Sequence, residues 1–95
     1  MGLADSQARL LMLCAYKSDL EFGMAMIAQK RTMLAYQAQL AGEMYPELAN
    51  QLHVMDKRLD LEMKTLETQY KIVNTEFDSV NKIVEDRTKK DFKYA

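Results

Sequence analysis

Between Leu10 and Ala41 the apolar residues fall into two stripes rather than one. At about 100° per residue of helix, Leu13, Tyr16, Leu20, Met24, Ile27 and Leu34 lie along one side. Leu11, Phe22, Met26, Met33, Tyr36 and Leu40 lie roughly opposite. Asp19, Lys30 and Gln37 separate them along one edge, and Lys17 and Glu21 along the other. A helix packed against one neighbour needs a single stripe. The second stripe calls for a second partner.

The signals for ends place this helix at about residues 5–41. Asp5-Ser6 offers side-chain oxygens for an N-cap. Gly42 suits the left-handed residue that follows a helix. Pro46 suits the first position of the next one, with Glu47 at the positive end of its dipole. The connection, residues 42–45, is short enough to favour antiparallel helices. Helix 2 then runs from about 46 to 92, with a main seam of Leu52, Leu59, Met63, Leu66, Tyr70, Val73, Phe77, Val80 and Val84. From Leu66 onward the gaps alternate four and three, a coiled-coil repeat. Asp56 interrupts this seam near its start. A thinner line, Val54, Leu61, Ile72 and Ile83, runs along the same helix, with Thr65, Thr68, Thr75 and Ser79 beside it. Eleven residues separate Leu61, Ile72 and Ile83, as they separate Leu11, Phe22 and Met33. That interval is close to three full turns, so each line keeps to one side of a nearly straight helix.

The expected fold is all-α: one domain over residues 1–95, two long antiparallel helices forming a helical hairpin, packed into a higher-order helical assembly. The intra-hairpin core is expected to be Leu13, Tyr16, Leu20, Met24, Ile27, Leu34, Leu59, Met63, Leu66, Tyr70, Val73, Phe77 and Val80. The intermolecular interface is expected at Leu11, Phe22, Met26, Met33, Tyr36, Leu40, Leu61, Ile72, Ile83 and Phe92. At 1.5 Å per residue the second helix is longer by roughly 15 Å, so Ile83, Val84, Phe92 and Tyr94 overhang the first.

Composition agrees with a helical chain. There are three Gly, one Pro and no Trp among 95 residues, too few breakers for a β-protein. Thirteen basic against fourteen acidic side chains remove the electrostatic basis for general nucleic-acid binding. No charge-free stretch approaches the ~20 residues of a membrane span. No small-residue cleavage site follows an apolar leader, so leaderless export to the outside is expected, with the cytoplasm as the alternative.

Candidate chemistry is sparse. His53 has Asp56 one turn away and Asp60 two turns away, a pairing capable of acid–base work, but nothing resembling a nucleophile lies nearby. It reads as a solvated surface histidine, and the protein as a non-enzyme. Cys14, the single cysteine, reads as a buried structural thiol. No metal-ligand spacing or phosphate-binding loop occurs, so no metal, cofactor or small-molecule substrate is expected. The eight methionines read as core and interface filler. The basic tract Arg87, Lys89, Lys90 and Lys93 is either a solvated tail or a contact to acidic groups of a neighbouring subunit.

Left bare, the six large residues of the second stripe would expose roughly 600 Å², as much as the largest patch of an ordinary monomer. Covering it is worth on the order of 15 kcal/mol before association costs. A homo-oligomer or homopolymer follows. The turn Gly42-Glu43-Met44-Tyr45-Pro46, with Ile83-Val84 and then Phe92-Lys93, resembles type III secretion needle subunits; flagellar axial-core helices are a related comparison. WXG100 secreted hairpins are similar in size and layout. The needle resemblance implies a helical homopolymer assembled outside the cell, with one helix of each hairpin lining a lumen. The function expected is a self-assembling structural subunit of a filament or tube. The alternative is a discrete helical-bundle oligomer serving as an adaptor or export chaperone.

Overall fold

The computed structural model describes residues 2–94, and the side chains of residues 2–93. Those residues form two α-helices, α1 (Leu3–Ala41) and α2 (Pro46–Tyr94), joined by a short turn. Two compact units divide the chain: unit 1, Met1–Leu20 with Gln69–Ala95, and unit 2, Glu21–Thr68.

Unit 2 is a helical hairpin, and its turn is built from local chemistry. Gly42 has φ 52°, a left-handed conformation that costs other residues about 1–2 kcal/mol. Its N–H donates to the Ala38 carbonyl at 3.0 Å, which satisfies one of the free acceptors at the end of α1. The Tyr45 carbonyl accepts from Ala49 N–H at 3.0 Å, so Tyr45 opens α2 and Pro46 takes its first helical position. The start of α1 differs from the expected Asp5-Ser6 cap. Ser6 N–H already donates to the Gly2 carbonyl at 3.0 Å, so α1 begins two residues earlier. Asp5 lies in the first turn, and Ser6 is fully buried. At the other end α2 runs to Tyr94, past the expected 92. The Tyr94 side chain lies outside the described residues.

Within each unit the inward faces repeat every seven residues. On α1, Ser6, Leu13 and Leu20 in unit 1 and Ile27, Leu34 and Ala41 in unit 2 are buried. Alternating with them, Leu3, Leu10 and Lys17, then Met24, Arg31 and Ala38, are half-buried. α2 presents Ala49, Leu52, Asp56, Leu59, Met63 and Leu66 in unit 2, and Tyr70, Val73, Phe77, Val80 and Val84 in unit 1, all buried or half-buried. This alternation of three and four is the antiparallel coiled-coil pattern. Gly23 flanks the seam where a Cβ would meet Leu66 Cδ1 at 3.2 Å, so its lack of a side chain permits a close approach. Tyr16, expected in the core, is 44% exposed, because Lys17 beside it takes the inward position.

Arg31 pairs with Asp56 in unit 2, and Lys17 lies over Tyr70 in unit 1. Every residue from Glu85 to Lys93 is exposed.

Ile27→Ala should cost about 2–4 kcal/mol of folding stability, whereas Phe22→Ala on the opposite side should stay within about 0.5 kcal/mol, measured by urea unfolding of dilute protein. The Ser6 hydroxyl is buried with no hydrogen-bond partner among the described residues. Ser6→Ala should therefore raise the urea midpoint, by about 1 kcal/mol of stability.

Candidate interaction surface

Two helices bury one stripe each, and the remaining apolar residues of this chain stand in water. On α1 in unit 2, Phe22 (69% exposed), Met26, Met33 (56%), Tyr36 (63%) and Leu40 (68%) form a row turned away from the seam. Successive spacings of four, seven, three and four keep the row within a narrow sector of the helix. No charged residue falls inside it. In unit 1, Leu11 occupies the corresponding side of α1 and is 73% exposed.

The outward side of α2 differs in chemistry. In unit 2 it carries Leu61 with Thr65 and Thr68; in unit 1 it carries Ile72 and Ile83 with Thr75 and Ser79. All four hydroxyls bond to the carbonyl four residues earlier, at 3.1, 2.9, 2.9 and 3.0 Å respectively. With their polar atoms turned back to the backbone, the threonines present methyl groups, and this side is low and neutral where α1 is bulky. A groove of about 550 Å³ runs along a flank of unit 2, floored by Met33, Leu34, Met55 and Leu59 and rimmed by Lys30 and Arg58.

All ten residues expected to serve contacts between copies are exposed: Leu11, Phe22, Met26, Met33, Tyr36, Leu40, Leu61, Ile72, Ile83 and Phe92. Of those expected to pack within the hairpin, Leu13, Leu20, Ile27, Leu34, Val73 and Val80 are buried. Met24, Leu59, Met63, Leu66, Tyr70 and Phe77 are half-buried, and Tyr16 is the exception. Met44 (82% exposed), Tyr45 (59%) and Leu48 (47%) were overlooked because they lie in the turn or in the first turn of α2. Three large apolar residues in and beside a four-residue connection were the available signal.

Polar chemistry concentrates in the seam. Arg31 Nε donates to Asp56 Oδ1 at 2.8 Å and Nη2 to Oδ2 at 3.2 Å, a bidentate fork. Its Nη1 donates to Asp60 Oδ1 at 3.1 Å, and Lys64 Nζ completes the cluster 3.2 Å from Asp60 Oδ2. The two carboxylates beside His53 are therefore engaged by Arg31, and His53 is exposed. In unit 1, Lys17 Nζ sits 4.5 Å from the Phe77 ring centroid and 5.7 Å from that of Tyr70, a cation held over two aromatic faces. Arg9 pairs with Glu76 at the unit's surface. Cys14 is exposed rather than buried, since it stands one residue outside the inward position held by Leu13. Among the described residues no group of three or more potential metal ligands comes together, and no helix is long and apolar enough to cross a membrane.

Compared with known proteins, the chain matches no protein-family model, no curated protein and no solved structure.

The hydrogen bonds from Arg31 hold the Asp56 carboxyl below its ordinary value of 3.8, against the opposing effect of burial. Acid therefore protonates the unfolded chain first. The stabilisation is present in full above that value and is lost as the pH falls through the lowered one. Acid unfolding followed by circular dichroism should show this loss, and Asp56→Asn should flatten it.

Proposed function

We propose that this chain is a non-enzymatic structural subunit that associates with copies of itself, forming a helical filament or tube. The observation that carries the reading is the charge-free row Phe22, Met26, Met33, Tyr36 and Leu40, exposed in unit 2. Its apolar area is on the order of 500 Å², at the upper end of what a monomer leaves bare. Covering the row on two copies would remove on the order of 1,000 Å², the lower bound for a specific interface. Adding the α2 side brings the area into the standard range.

Association through unlike faces favours an open polymer over a closed dimer. The bulky side of α1 and the low, methyl-lined side of α2 complement each other better than either complements itself, and a heterologous contact repeats without closing unless its rotation happens to form a ring. The resemblance of the turn and the Ile83-Val84…Phe92-Lys93 ending to needle subunits adds an extracellular setting to the same reading. One observation favours the alternative, a discrete helical bundle acting as an adaptor or export chaperone. The flank groove above Met55 and Leu59 has the form that a third helix fills in a bundle.

Negative-stain microscopy of the pure protein should show long particles. Phe22→Asp and Ile72→Asp should each abolish them while far-ultraviolet circular dichroism retains its helical signal. A sharp dimer or tetramer by light scattering would favour the bundle, and a stable monomer at high concentration would overturn both.

A further inference from the structure

The charge-free row on α1 and the flank groove of unit 2 share one side chain. Met33 stands in the middle of the row, between Met26 and Tyr36, and is 56% exposed. It also lines the groove, with Leu34, Met55 and Leu59. A second copy laid on the row and a third helix laid in the groove would cover the same thioether. Phe22, Tyr36 and Leu40 bring no sulfur to the row, and Met26 is less open, at 39%. The single cysteine, Cys14, belongs to unit 1, so methionine accounts for all the sulfur of unit 2. The outward side of α2 has no uncommitted hydroxyl among its threonines and serine. Thr65 and Thr68 in unit 2, and Thr75 and Ser79 in unit 1, each donate to the carbonyl four residues earlier.

We propose that Met33 is an oxidation-sensitive site, and that its conversion to the sulfoxide by hydrogen peroxide keeps copies of this chain apart. The thioether sulfur attacks one peroxide oxygen, so that an S–O bond forms as the O–O bond breaks. The proton on the transferred oxygen passes to the departing one, which leaves as water. Sulfur gives up two electrons and the peroxide takes them. The product is a polar group and a hydrogen-bond acceptor where an apolar side chain stood. In the free chain water bonds to it without disturbing the fold, since Met33 faces away from the seam. Under a second copy that water is lost, and the hydroxyls of α2 are already engaged with their own helix. A covered acceptor without a donor is what disfavours the contact. The inference rests on the self-association reading and adds its regulation; because Met33 belongs to both surfaces, the filament and the bundle each cover it. Met24 and Met63 are half-buried in the seam. Susceptibility follows exposure, so Met33 reacts ahead of them while the helices stay paired.

The test uses the full chain carrying Cys14→Ser, which removes the thiol that peroxide would also oxidise. In dilute protein, peptide mass mapping should find Met33 converted before Met24 and Met63. The treated protein should need about tenfold more chain to assemble, the scale of one stranded acceptor, read by light scattering. Far-ultraviolet circular dichroism should retain its helical signal throughout. Adding Met33→Leu keeps the row apolar and its volume nearly unchanged; this variant should assemble as its parent does and go on assembling after the same treatment. Met33→Gln, which puts an amide where the sulfoxide would be, should reproduce the loss without peroxide. In assembled protein Met33 should react more slowly than in dilute protein. If full conversion of Met33 leaves assembly unchanged, or if treated Met33→Leu loses assembly as its parent does, the site is overturned while self-association stands. If the untreated chain does not assemble at any concentration, the functional reading falls and takes this site with it.

Discussion

Two helices lying side by side bury one stripe of each and no more. That geometric limit governs everything else about this chain. A third or fourth helix would give the remaining apolar positions somewhere to go, but α1 and α2 are the only elements among the described residues. Phe22, Met33, Tyr36 and Leu40 are consequently more than half exposed, although each is a residue type that a larger domain buries. Their exposure is not scattered. It is confined to one charge-free side of α1, with the charged residues held to the edges. A surface evolved only for solubility would spread them and intersperse charges.

The seam shows the converse economy, because charges occupy positions that an idealised coiled coil would give to leucine. Arg31 and Asp56 both point inward and meet in a bidentate pair. With both side chains about a third exposed, such a pair contributes modestly to net stability, but its two parallel hydrogen bonds are geometrically specific. In unit 2 a slip of one heptad that set Arg31 against Ala49 would carry it away from both Asp56 and Asp60. The pair therefore acts on register, which a uniform leucine seam specifies weakly. Lys17 against Phe77 and Tyr70 adds a cation in unit 1 that needs aromatic neighbours, and α2 provides them at one register.

The same charges decide how far the fold was legible in the sequence. The α2 seam from Leu59 to Val84 and the α1 residues Leu13, Leu20, Ile27 and Leu34 are apolar and evenly spaced, so periodicity alone finds them. Lys17 and Arg31 occupy inward positions of that same repeat, but a search for apolar residues passes over them and admits Tyr16 in their place. Allowing one polar residue per two heptads would have exposed an unbroken series from Leu3 to Ala41. Asp56 was visible as an interruption of the seam; its partner was not, because a long arginine at a seam position reads as a surface residue until the opposing helix is placed. The turn was fully legible, since Gly42 and Pro46 have conformational preferences that few other residues share. Ser6 was misassigned because serine near a helix start signals a cap by type, and only the bond from its N–H to the Gly2 carbonyl identifies it as already helical.

Charged groups inside and apolar groups outside look like an inversion of ordinary globular practice, yet on the proposed reading the two serve different partners. Within the chain, the linked helices meet at high effective concentration, so their seam gains more from register than from further affinity. Between copies, association loses translational and rotational freedom and has no tether to offset it; there, apolar area is what supplies affinity. The α2 side fits this division in detail. Thr65, Thr68, Thr75 and Ser79 would ordinarily hold water at an interface, but each hydroxyl is already bonded to its own helix, so covering these residues desolvates methyl groups and satisfied oxygens rather than free donors. Polar residues can thus keep α2 soluble before association without imposing the full desolvation penalty on it afterwards. The bulky, sulfur- and ring-bearing side of α1 is the complementary case: flexible methionines beside rigid aromatics adapt to a shallow neighbouring surface. The contrast between the two sides, more than the total apolar area, is what favours an assembly that continues over one that closes.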